Sequence, residues 1–199
     1  MKFIAQGVSY LFHPLLVPLY GLFFIFNSAS VFSLIHFSTQ VYCYFVTFVA
    51  MLLMPLLGMI VFKKMGFISS YDLSVKQERV YPALVAIFSA FAGFYLIGKL
   101  PYTNIVQQLY LVLIIVLSGF SIITLRWKMS MHMTAAGAVC GFITIIGFRY
   151  WGEVRESLMV ILILSGILAT CRLYLKKHNP AQIYAGFLFG LSFVVAILY

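Results

Sequence analysis

Three short polar stretches hold most of the residues in this chain that could do chemistry. The first, residues 63–82, concentrates Asp72, Lys76, Glu78 and Arg79 just before an apolar run. The second reads Arg126-Trp127-Lys128-Met129-Ser130-Met131-His132 and leads into another apolar run. The third reads Cys171-Arg172-Leu173-Tyr174-Leu175-Lys176-Lys177-His178-Asn179-Pro180-Ala181-Gln182. Together they supply two histidines, a serine and several arginines and lysines. Attack on phosphorus needs this set: Arg and Lys clamp the phosphoryl oxygens, one His attacks, and another protonates the leaving oxygen.

Each stretch also has a plainer reading. The first could be a solvated loop whose basic residues meet lipid headgroups. Ser130 could simply cap a helix, with His132 at headgroup level. In the third stretch, Asn179-Pro180 reads as an N-cap followed by the first helical position. His178 then stands just outside a positive helix end, where a phosphate would bind, and Gln182 falls in the first turn, within reach of the imidazole.

At these residues the chain resembles the type 2 phosphatidic acid phosphatase superfamily of membrane lipid phosphatases. The family's three ordered motifs are Lys-x6-Arg-Pro, Pro-Ser-Gly-His and Ser-Arg-x5-His-x3-Asp. The matching segments here are Lys76-x2-Arg79-x2-Pro82, Met129-Ser130-Met131-His132 and Cys171-Arg172-x5-His178-x3-Gln182. The resemblance implies that His178 is a nucleophile forming a phosphohistidine and that His132 is the general acid for the leaving alcohol. It implies further that Arg79, Arg172 and Ser130 bind phosphate oxygens, with Lys76 a displaced substitute for the family lysine. No metal or other cofactor is implied, and Asp72, Glu78, Glu153 and Glu156 do not form a ligand cluster. The implied partner is a phosphorylated membrane lipid rather than a nucleic acid.

The chain departs from the pattern in ways that bear on mechanism. Asp72 stands where the family has its lysine, Pro82 does not directly follow Arg79, and Met129, Met131 and Cys171 replace Pro, Gly and Ser. Gln182 replaces the family's Asp. A carboxylate both orients a nucleophilic imidazole and stabilises the cation it becomes; an amide can only orient it, and only with its oxygen toward the ring. Two functions follow: a weakened lipid-phosphate phosphatase or phosphotransferase, or a degenerate member that binds or translocates a phosphorylated lipid without cleaving it. A third reading, a small transporter using His13 and His36, lacks intramembrane carboxylates to relay protons or ions.

The elements that must position these residues are membrane helices. Of 199 residues 64% are hydrophobic and only 9% charged, and the mean hydropathy is +1.08. There is too little polar surface to cover a soluble globule. Between Lys2 and Lys63 no Lys, Arg, Asp or Glu occurs. Continuous apolar runs of about 20 residues match a bilayer core of ~30 Å and lack the alternation of a barrel strand. The expectation is an all-α polytopic helical bundle of six to seven spans in a single transmembrane domain, 1–199. Spans are expected near 4–26, 41–62, 80–98, 107–125, 131–148, 157–175 and 181–199. The first is interrupted by His13-Pro14 and Pro18, which would kink it, break it or make it re-entrant.

If every segment crosses, the N-terminus and the three polar stretches share one side. That side carries ten of the 13 basic residues. The positive-inside rule makes it cytoplasmic, whereas the family resemblance implies the periplasmic face. Cys43, Cys140 and Cys171 lie in apolar runs and read as packing residues. Gly137-x3-Gly141 and Gly186-x3-Gly190 would let helices approach closely, most simply within the chain.

Overall fold

A computed structural model describes residues 1–28, 31–71, 78, 80–150 and 153–199. Among them every regular element is helical, as expected where no water is present to satisfy backbone groups. In chain order the helices are α1 (Lys2–Leu11), α2 (Val17–Asn27), α3 (Phe37–Thr47), α4 (Met54–Lys64), α5 (Val80–Ile97), α6 (Asn104–Arg126), α7 (Met131–Tyr150), α8 (Arg155–Tyr174) and α9 (Pro180–Leu198). A short 3-10 turn, Val31–Leu34, follows α2.

Six helical segments are long and apolar enough to cross a membrane: Phe37–Lys64, α5, α6, α7, α8 and α9. Each boundary falls within four residues of the sequence expectation. Large apolar side chains cover their outward faces, with Phe88 72%, Ile122 69% and Ile163 64% exposed, the pattern of an integral multi-pass membrane protein rather than a soluble one.

Two prolines shape the chain differently. Pro55 has no N–H, and its ring would clash with the carbonyl four residues earlier. The chain meets this with a π-helical turn, Phe48–Leu53, that joins α3 to α4 in one continuous span of 28 residues. Pro14 instead ends a helix: α1 stops at Leu11 and α2 starts at Val17. At ~1.5 Å per residue, helices of this length cover about half of a ~30 Å core. The expected span 4–26 is therefore two short helices around a break at His13-Pro14. His36, offered above as a possible transport residue, is the N-cap of α3; its Nδ1 accepts from the Ser38 backbone N–H at 3.3 Å.

The chain divides into two compact units: Met1–Leu34 with Met129–Tyr199, and Ile35–Lys128. The second unit holds α3 to α6. Its buried Tyr110 hydroxyl is bonded to Thr47 Oγ1 at 2.8 Å, which satisfies a polar pair inside an apolar bundle. A Cβ at Gly93 would overlap the Tyr110 ring.

The first unit holds α1, α2, α7, α8 and α9, and its centre is the α7–α9 pair. A Cβ at Gly190 would overlap the Thr134 carbonyl oxygen, and one at Gly137 the Phe187 carbonyl oxygen. At Gly186 it would lie 2.7 Å from Ser130 O, and at Gly141 2.9 Å from Leu191 O. The two glycine motifs thus pack against each other, backbone to backbone, within one chain. Beside them Met133, Ala136, Leu168 and Ile183 form a buried cluster, against which Val8 and Phe12 of the α1 segment pack. At the far end of α7, Arg149 Nη1 donates to Leu198 O at 2.8 Å, capping the last turn of α9. Cys43 and Cys140 are buried and Cys171 half-buried, all as free thiols.

Candidate functional site

The second and third polar stretches meet in the first unit, and the close α7–α9 packing explains why. Because Gly186 admits the Ser130 carbonyl, the starts of the two helices lie side by side, and the Ser130 N–H donates to the Gln182 carbonyl at 3.2 Å.

α8 ends in a Schellman turn. Lys177 N–H donates to Arg172 O at 3.2 Å and Lys176 N–H to Leu173 O at 2.9 Å, with Lys176 in the left-handed region at φ 54. Glycine is the usual residue there, since a Cβ in that conformation costs roughly 1–2 kcal/mol. The turn reverses the chain within a few residues and delivers His178 to the start of α9. Arg172, in the last turn of α8, places a cation at the negative end of that helix.

Asn179 caps α9 as the spacing predicts, and the cap is a full capping box: Gln182 N–H donates to Asn179 Oδ1 at 2.9 Å, and Asn179 N–H to Gln182 Oε1 at 3.3 Å. The same Oε1 lies 3.1 Å from His178 Nδ1. A backbone N–H can only donate, so the atom facing Asn179 is the amide oxygen. The imidazole must then donate from Nδ1 to that oxygen, which puts the lone pair of the neutral ring on Nε2. Gln182 performs the orienting half of the carboxylate's role, with its oxygen toward the ring.

Ser130 does not cap α7 with its side chain. Its carbonyl accepts from the Thr134 N–H at 2.9 Å and from Thr134 Oγ1 at 3.1 Å, but its hydroxyl is wholly buried with no hydrogen-bond partner among the described residues. Leaving a buried hydroxyl unsatisfied costs roughly 1–3 kcal/mol. A group held in this state at the start of a 20-residue helix is poised to donate to an anion.

His132, in the first turn of α7, is half-buried. Its Nε2 lies 3.1 Å from the carbonyl oxygen of Ser9 in α1. A carbonyl only accepts, so Nε2 carries a proton and Nδ1 is the titrating nitrogen. Arg172, His13 and His178 lie near enough to act on this imidazole electrostatically.

His13, which the sequence offered only as a transport residue, stands beside His132. Its ring meets that of His132 edge to face, centroids 5.6 Å apart and planes at 82°. Burial, and then the charge of Arg172, hold His13 below the usual imidazole value. At an effective dielectric near 20, two unit charges at the 5.6 Å ring separation repel by about 3 kcal/mol, so the pair takes up one proton far more readily than two.

A cavity of about 320 Å³ opens beside His132, lined by Leu11 and Phe12 of the α1 segment, Val17 and Tyr20 of α2, and Leu164 and Leu168 of α8 among others. Its walls are almost entirely apolar. Ser130, His132, Arg172, His178 and Gln182 are thus in one unit, while Lys76 and Arg79 lie outside the described residues. Among the described residues no group of three His, Cys, Asp or Glu is arranged to hold a metal ion. No protein-family model, no curated protein and no solved structure matches the chain.

Proposed function

We propose that the chain is a membrane-embedded phosphatase or phosphotransferase of lipid phosphates, working through a phosphohistidine. The observation that carries this reading is the His178–Gln182 contact, which fixes the His178 lone pair on Nε2 in the unit that also holds His132, Arg172 and the Ser130 hydroxyl. The apolar cavity beside His132 supports a substrate with a hydrocarbon tail, since such pockets bury apolar ligand surface and place a few polar groups at one wall. The first unit alone carries the reading.

In the proposed reaction Nε2 of His178 attacks phosphorus. The bond from phosphorus to the alcohol oxygen breaks, its electron pair leaves with that oxygen, and a proton that the phosphate monoester monoanion has passed to Nδ1 of His132 neutralises it. Arg172 and Ser130 hold the phosphoryl oxygens as charge moves onto them. Water then attacks the phosphohistidine, giving a proton back to His132 as phosphorus leaves Nε2; an acceptor alcohol in place of water gives transfer. Gln182 accepts from Nδ1–H throughout but does not offset the positive charge that develops on His178. A slower enzyme than one with a carboxylate is expected. In serine proteases, an Asp-to-amide change beside the catalytic His costs about 10⁴-fold in rate.

The test is phosphate release from a panel of lipid phosphates by the detergent-solubilised protein. Release should disappear in His178→Ala and fall roughly 10²-fold or more in His132→Ala. Equal rates in all three proteins would refute the reading. The amide at 182 favours one alternative, binding without cleavage. Saturable lipid-phosphate binding with no turnover on long incubation would establish it instead.

A further inference from the structure

We infer that His13 is a positioning residue for His132, fixing the plane of that imidazole by edge-to-face contact while the Ser9 carbonyl fixes its proton-bearing nitrogen. The inference rests on the proposed function for its catalytic consequence, but its geometry does not depend on it.

The break between α1 and α2 carries His13 to this place. Pro14 ends α1, and the chain turns through Leu16 N–H to His13 O at 2.8 Å. Within the turn His13 Nδ1 accepts from the Leu15 N–H at 3.3 Å. Since a backbone N–H can only donate, Nδ1 holds a lone pair and the proton of neutral His13 sits on Nε2. Both imidazoles therefore have a defined tautomer, each set by a backbone group of the α1–α2 segment. His132 has its Nε2–H pinned to Ser9 O and its ring braced edge to face by His13. Its Nδ1 remains to give and retake the proton in the reaction.

The groups that face His132 come from every neighbouring element. α1 and the break supply Ser9 O and His13, α8 supplies Arg172, and the segment before α9 supplies His178. From α2, Tyr20 shares the adjoining cavity, and its hydroxyl donates to Leu11 O at 2.8 Å. His13 meets the His132 ring edge to face with a second titratable ring. A cation already stands nearby in Arg172, so a neutral His13 keeps a second positive charge from opposing the proton that His132 must carry. A purely structural role would use the Nδ1 acceptor alone, and Asn can fill that position with its own side-chain oxygen in an Asx turn.

Two variants separate these roles. His13→Asn keeps the turn acceptor and removes the ring; His13→Phe keeps an aromatic edge and removes the acceptor and the proton. The protein has four histidines, so histidine-labelled full-length protein in detergent gives a resolvable imidazole spectrum, in which His36 and His178 report whether each variant is folded. In His13→Asn we expect the His132 ring signals to shift while its tautomer, set by Ser9 O, is kept, and its proton affinity to change about threefold or more. Lipid-phosphate turnover should fall roughly ten- to a hundredfold, a part of the ~10²–10⁴ that a general acid supplies, with KM little changed and the pH–rate profile displaced. Wild-type His132 signals and turnover in His13→Asn, with only His13→Phe impaired, would overturn the inference and leave His13 as a turn residue. The spectra decide separately from catalysis: a wild-type protein without turnover sinks the proposed function, while unchanged His132 signals sink this inference whatever the turnover.

Discussion

Ser130→Ala separates a residue kept for function from one kept for stability, because the two effects are expected to run in opposite directions. The Ser130 hydroxyl is wholly buried and unpartnered among the described residues, so the folded protein bears the desolvation of a polar group, roughly 1–3 kcal/mol, with no bond in return. Alanine removes that term and leaves a gap of a single atom, whose lost contacts take back a fraction of it. The Ser130 backbone bonds to Gln182 and Thr134 are unaffected. A net gain of about 1 kcal/mol is expected, which for a chain of this size raises the Tm by about 2–4 °C. Turnover should fall. A hydrogen bond to a charged phosphoryl oxygen contributes about 1.5–3 kcal/mol, which at ~1.4 kcal/mol per decade is roughly ten- to a hundredfold in rate. Thermal unfolding and lipid-phosphate release, measured on one detergent preparation, test both signs. A lower Tm would mean that the hydroxyl has a partner in the native protein. An unchanged rate would remove Ser130 from the site.

Gln182→Glu keeps the side-chain length and the capping box, in which Glu is a usual third residue, and adds the charge that a positively charged His178 lacks; turnover should rise about tenfold or more. Gln182→Asp is one methylene shorter, reaches less well toward His178 Nδ1, and should gain less. Rates for the Glu variant at or below wild type would show that position 182 only builds the helix start. Gly190→Leu should push α9 off the Thr134 carbonyl and lower stability by several kcal/mol, measured as loss of the folded fraction on heating. Gly166→Ala, which meets nothing within 4 Å in the middle of α8, is the control and should unfold at or slightly above the wild-type temperature.

Much of the fold was legible in the sequence because lipid imposes a simple rule: runs of about 20 apolar residues form helices, and charges mark their ends. The Asn179-Pro180 start of α9 and the glycine motifs were legible for similarly local reasons, since capping and close approach depend on residue type and short spacing. The first segment illustrates the limit. Pro14 announced a break, but nothing in the sequence said that the break would carry His13 to His132, or that Ser9 O would accept a hydrogen bond from a residue 123 positions away. Such contacts follow from how helices pack, which composition does not encode. The amide orientation of Gln182 and the left-handed Lys176 were likewise invisible. The first is decided by which donors surround the oxygen, and the second is adopted by a residue that gives no glycine signal.

The backbone contact between α7 and α9 also decides which part of the first unit can yield. With carbonyls seated against glycine Cα atoms, those two helices can part only by abandoning contact along several turns at once, so the frame that carries Ser130, His132, His178 and Gln182 behaves as one solid piece. α1 is joined to that frame differently, by side-chain contacts of Val8 and Phe12 and by one bond from His132 to Ser9 O. Leu11 and Phe12, at the end of the same short helix, form part of the wall of the cavity beside His132. A displacement of α1 would therefore change the cavity wall and the bond that sets the His132 tautomer together.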